Sequence, residues 1–173
     1  LNLCVKVLEI GPGDEVITVA HTFVATIAAI VHAGAKPILV DVADDYNIDP
    51  EAVEAAVTAR TKAIIPVHLN GRVCHMEPLL DIARQHGLYI IEDSAQAIGA
   101  TYDSRRAGSF GILSTNSFYP FKIMGCFGDG GMITTNDDDL CMQLRCMRDN
   151  GQDRATGEIL FWGWNSRLDN LQA

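Results

Sequence analysis

Leu88-Tyr89-Ile90-Ile91-Glu92-Asp93-Ser94-Ala95-Gln96 decides the fold. The run follows Gly87, is rich in large apolar residues and is too short for a helix, so it predicts a buried strand over residues 88–92 with Asp93 just beyond it. Three upstream runs have the same form: residues 15–19, 37–41 and 62–67. Helical patterns separate them. One covers residues 22–33 and is closed by Gly34. A second opens at Asp49-Pro50-Glu51, where aspartate caps and proline takes the first helical position. A third covers residues 77–86 and stops at Gly87. Short apolar strands alternating with helices describe βαβ units, hence an α/β fold with a mostly parallel sheet covered on both faces.

Outside this frame the pattern changes. Residues 101–108 are polar and turn-like and predict a hairpin. Residues 113–118 and 132–135 alternate as strands on either side of a glycine-rich stretch around Gly128. Leu140, Leu144 and Met147 mark an amphipathic helix over residues 137–148, and residues 150–161 read as a mobile surface loop. Leu1, Val5 and Leu8 predict an opening helix, and Leu168 with Leu171 a closing one. Neither end carries a capping or stop signal, so the chain is expected to be an internal piece of a longer protein. Gly11-Pro12-Gly13 precedes a strand rather than a helix, the reverse of a dinucleotide-binding turn.

The chain has 173 residues and a net charge of −9, which excludes a general nucleic-acid binder lacking a basic face. Its five cysteines include no C-x-x-C pair and no histidine at zinc spacing, so no metal site is expected and the thiols are read as reduced, in a cytoplasmic protein. No stretch reaches the roughly 18 apolar residues of a membrane span.

In open α/β sheets ligands sit beyond the carboxyl ends of the strands. Thr22-Phe23, His68-Leu69-Asn70-Gly71 and Asp93-Ser94-Ala95-Gln96 occupy such positions. Asp93 is either a helix N-cap or a carboxylate paired with a protonated pyridine nitrogen. Phe23 either stacks on a planar ring or belongs to the core, and Gln96 either bonds a phenolic oxygen or faces water. His68 and His75 are acid-base groups or structural ones.

Ser117-Phe118-Tyr119-Pro120-Phe121-Lys122 sets one lysine among apolar neighbours. Either Lys122 snorkels its charge to solvent, or desolvation makes it an amine able to form a Schiff base, the way pyridoxal phosphate is held. Ser117, five residues earlier, either binds a phosphate oxygen or bonds its own backbone.

The segments Gly13-Asp14-Glu15-Val16-Ile17, Thr22-Phe23-Val24-Ala25-Thr26, Pro66-Val67-His68-Leu69-Asn70-Gly71, Glu92-Asp93-Ser94-Ala95-Gln96-Ala97, Ser117 to Lys122, Gly128-Asp129-Gly130-Gly131 and Asn165-Ser166-Arg167-Leu168 resemble the DegT/DnrJ/EryC1/StrS sugar aminotransferases, in order and end to end. The resemblance implies fold type I of the pyridoxal-phosphate enzymes, in the aspartate-aminotransferase manner, working as a homodimer. It implies a partial large domain over residues 1–173, with the family's phosphate loop expected upstream and its small domain downstream, so that this piece alone would be inactive. It places the cofactor-bearing lysine at Lys122 and the pyridine-nitrogen carboxylate at Asp93, which together carry the catalysis. Gln96 would contact a cofactor oxygen and Ser117 the phosphate. Phe23 falls at a ring-stacking position, and Asn165 at one that reaches the cofactor phosphate of the neighbouring subunit. The implied reaction converts a keto group on a nucleotide-linked deoxysugar to an amine, with glutamate as donor and pyridoxal 5'-phosphate cycling through pyridoxamine phosphate. Asn70 stands where the family often has an aromatic residue. Alternatives are an aminotransferase for a keto-inositol, a dehydratase, whose relatives carry histidine at the lysine position, and a non-catalytic regulatory protein.

Overall fold

The computed structural model describes residues 1–173. In chain order its strands are β1 (Glu15–Val19), β2 (Lys36–Val40), β3 (Thr61–Ile65), β4 (Tyr89–Asp93), β5 (Thr101–Tyr102), β6 (Arg105–Arg106), β7 (Leu113–Ser117) and β8 (Gly131–Thr134). Its helices are α1 (Asn2–Val7), α2 (Val24–His32), α3 (Pro50–Ala56), α4 (Met76–His86) and α5 (Asp138–Met147). One sheet of six strands runs β2-β1-β3-β4-β7-β8, parallel as far as β7, with β8 antiparallel to it. β5 and β6 form the expected hairpin.

Period-two alternation along the central strands divides the interior into two cores. Val16, Ala63, Ile65 and Ile91 point to one face, where Cys4 and Val5 of α1, Ile30 of α2 and Leu144 of α5 cover them. Ile17, Ile64 and Ile90 point to the other, under Val53 of α3 and Leu79 and Ile82 of α4. Every residue of β1 is buried, including the polar Glu15 and Thr18, which are satisfied by Arg60 and by Ile65 O, so the strand does not alternate between core and solvent. The helix ends follow local chemistry. Asp49 Oδ1 accepts from Glu51 N at 2.9 Å ahead of Pro50, Asp137 Oδ1 accepts from Leu140 N at 2.9 Å, and α4 ends on Gly87 in the left-handed region at φ 66°.

From β1 the chain moves outward to β2 and then returns to β3 on the other side, so the strand order reverses between β1 and β3. A crevice at the carboxyl ends of the strands is the consequence.

One expectation fails. The closing helix does not form: residues 168–173 contain only turns, and Leu171 is 81% exposed, so the apolar pair has no surface to bury against. Residues 150–161 lie largely at the surface, as expected, and are pinned locally where Gln152 bridges to Ile159 and Asp149 to Asn165. No helix is long and apolar enough to cross a membrane.

Candidate active site

The crevice is a cleft of about 1470 Å³ whose walls include Thr22, Phe23, Asp93, Gln96, Ser117 and Lys122. Asp93 is the last residue of β4 and 6% exposed. Its backbone is zipped to the segment leaving β3: Asp93 N donates to Pro66 O at 2.9 Å and His68 N donates to Asp93 O at 3.0 Å. No helix follows it, so it is not an N-cap. Its carboxylate instead takes one donor on each oxygen, Thr26 Oγ1 on Oδ2 at 2.8 Å and Ala95 N on Oδ1 at 3.2 Å. A carboxylate oxygen has two acceptor sites, so each keeps one free.

Lys122 sits in the segment that leaves β7 and returns to β8. The neck of that segment is closed by Phe118 N donating to Gly130 O and Cys126 N donating to Phe118 O, both at 2.8 Å. Lys122 is half-buried and has no ion-pair partner. Here the structure departs from the picture of an amine desolvated by its sequence neighbours. Phe121 is 91% exposed and Ile123 65%, and Phe121 lies on the open wall of the cleft, so neither side chain encloses the amine.

The other expected residues divide. Phe23 stands 68% exposed on the cleft wall, with extended backbone just ahead of α2, and is not core. Gln96 Oε1 accepts from Asn70 N at 3.0 Å, which leaves the donor side of its amide free; Asn70 itself lies in the left-handed region at φ 52°. Ser117 Oγ accepts from Tyr119 N at 3.3 Å, the backbone-bonded arrangement, and its hydroxyl proton remains to be given. Asn165 is exposed and does not line this cleft, although Ser166, Arg167 and Leu168 do. His75 is exposed.

His68 is structural. Fully buried, it receives Cys74 N on Nδ1 at 3.2 Å, so its proton lies on Nε2 and is donated to Glu92 Oε2 at 2.9 Å. Glu92 also accepts from the amides of Gly108, Phe110 and Gly111, each at 2.7 Å. Burial alone would raise this carboxyl, but the bonds from His68, Gly111 and Gly108 outweigh it and hold the group below the usual carboxylate range. The glycine at 111 is required, since a Cβ there would stand 2.4 Å from Ile90 O.

Sequence reasoning missed two participants. Thr26, 1% exposed, touches Asp93, and the only signal for it was its i,i+4 spacing from Thr22. Glu92 adjoins the candidate carboxylate, and nothing in its own spacing announced the four donors that meet it.

A pyridoxal-type ring suits this donor and acceptor set. Asp93 offers free acceptor sites, Lys122 an unpaired amine, Gln96 and Ser117 donors, and Phe23 a flat surface, all on one cleft.

The sequence profile of the DegT/DnrJ/EryC1/StrS aminotransferase family matches residues 1–173. The chain is 51% identical over 174 residues to a pleiotropic regulatory protein of Geobacillus stearothermophilus, covering 100% of this chain and 46% of that one. It is 46% identical over 180 residues to the GDP-perosamine synthase of Caulobacter vibrioides, covering 100% and 47%. The crystal structure of S. venezuelae DesV in complex with a ketimine intermediate superposes with a TM-score of 0.94 at 46% identity, over 99% of this chain and 46% of DesV. The chain therefore spans about half the length of the relatives it matches.

Proposed function

The chain belongs to the DegT/DnrJ/EryC1/StrS aminotransferase family, and from that premise we propose that it forms most of the large domain of a pyridoxal-phosphate-dependent aminotransferase that converts a keto group on a nucleotide-linked sugar to an amine. The observation that carries the reading is the presence of Asp93 and Lys122 on one cleft at the strand ends. The relatives with named sugar products support the substrate class, and glutamate is the proposed donor.

Pyridoxal phosphate, when bound, supplies an electron sink for negative charge at the carbon that loses its proton. Lys122 would hold the cofactor through Nζ and, when free as the amine, would move the proton between the substrate carbon and the cofactor. Asp93 faces the ring nitrogen as an acceptor. Gln96 would donate a hydrogen bond from its amide to the phenolic oxygen, Ser117 one from its hydroxyl to the phosphate, and Phe23 would lie against the ring. Asn165, off its own cleft, acts across a homodimer in the neighbouring site. The five free cysteines support a reducing, cytoplasmic setting.

The regulatory relative keeps a second reading in play, a protein that retains the fold without turnover. Amino transfer from glutamate to a keto-sugar nucleotide by the full-length protein separates the two. Formation of the amino sugar supports the enzyme, and cofactor binding without transfer supports the regulator.

A further inference from the structure

We propose that Thr22 and Thr26 form a hydroxyl relay that fixes the plane of the Asp93 carboxylate where it meets the cofactor ring, making both of them positioning residues. This inference rests on the cofactor reading above.

The direction of the relay follows from proton counting. Thr26 Oγ1 is 2.8 Å from Asp93 Oδ2 and 2.9 Å from Thr22 Oγ1. A hydroxyl has one proton, and an ionised carboxylate can only accept. Thr26 therefore donates to Asp93, and Thr22 donates to Thr26. A buried helical threonine ordinarily satisfies itself on the carbonyl four residues back. Thr26 instead reaches a carboxylate 67 residues away, at the end of the central strand.

Its place in the fold explains the effect. Ala95 N holds Oδ1 from the segment after β4, and Thr26 holds Oδ2 from the first turn of α2. One donor would leave the carboxylate free to turn about its last bond, whereas two donors on two elements define its plane. The relay also links α2 to the sheet at the cleft, since Thr22 and Thr26 both line the wall and flank Phe23 in sequence. The residue proposed to lie against the ring and the residue proposed to face its nitrogen are thus held by one short segment. Threonine suits the task because β-branching restricts χ1 and keeps Oγ1 aimed.

The test uses the full-length protein with Thr26→Val, which keeps the shape and removes the hydroxyl, Thr26→Ser, which restores it, and Thr22→Val. Two quantities are read: the dissociation constant of pyridoxal 5'-phosphate from an absorbance titration of the apoprotein, and the ¹⁵N resonance of the ring nitrogen in labelled cofactor. Thr26→Val is expected to weaken binding about tenfold, equivalent to about 1.4 kcal/mol, and to move the resonance. Thr26→Ser should return binding to within about threefold of wild type, with Thr22→Val moving the resonance in the same direction by less. Should Thr26→Val fail to fold, the contrast between Thr26→Ser and Thr22→Val decides the matter. Unchanged affinity and resonance in the valine variants would overturn the relay while leaving the cofactor reading intact. A wild-type protein that binds no pyridoxal phosphate would overturn both.

Discussion

Glu92 and Asp93 are consecutive residues of β4 whose side chains leave the strand on opposite faces. Glu92 turns toward His68 and the amides of residues 108, 110 and 111, and Asp93 toward Thr26 on α2. Both are buried, and both take up donors from distant parts of the chain. The first anchors the connection between β6 and β7; the second faces the cleft.

That anchoring makes Glu92 costly to neutralise. In Glu92→Gln an amide NH₂ must face either the Phe110 and Gly111 amides or the His68 and Gly108 donors, so donors oppose donors in either orientation. A loss of about 3 kcal/mol is expected in urea unfolding. The sign of the pH dependence follows from the lowered carboxyl: its contribution is complete above the ordinary value of 4.5 and is lost as pH falls through the lower folded value. Stability measured from pH 6 down to about pH 3 should therefore drop more steeply in wild type than in Glu92→Gln.

Asp149, also buried, ties the segment after α5 in the same manner, through arginines that are themselves exposed. Arg154 hydrogen-bonds its Oδ2, Arg167 Nη1 lies 3.1 Å from Oδ1, and the bond from Arg154 together with the neighbouring arginines holds the carboxyl below the usual range. Asp149→Asn should release the turn over residues 152–164. Limited proteolysis is then expected to cut there faster than in wild type, and wild type should gain the same susceptibility as pH falls through the Asp149 titration. Equal cleavage rates would show that backbone pairing alone holds the turn.

Burial pushes the Cys4 thiol up to about 11 and the Cys74 thiol up to about 12. Both stay protonated and covered, so iodoacetamide near pH 8 should label Cys126 and Cys141 first and reach Cys4 and Cys74 only on unfolding. Peptide mass spectrometry after timed quenching gives the order.

The parallel sheet was legible because β1, β3 and β4 are buried on both faces, and burial writes itself as short apolar runs. Asp49, Gly87 and Asp137 marked helix ends because caps are local. Lys122 and Asp93 stood out as charges beside such runs. What stayed hidden was contact at long range. Thr26 reads as an ordinary helical residue until α2 is laid across the end of β4, and Glu92 reads as the polar close of a strand until four donors converge on it. Leu168 and Leu171 show the converse, an apolar spacing that predicts a helix where the fold gives the pair nothing to cover. The exposed side chains around Lys122 make the same point, since sequence proximity to Phe121 and Ile123 placed no apolar wall around the amine.

Lys122 is the residue proposed to hold the cofactor. Borohydride reduction of the full-length protein loaded with pyridoxal 5'-phosphate, followed by peptide mass spectrometry, tests it most directly. A pyridoxyl group is expected on Lys122 and absent from Lys122→Ala. A label confined to Lys6, Lys36 or Lys62, or no label at all, would contradict it.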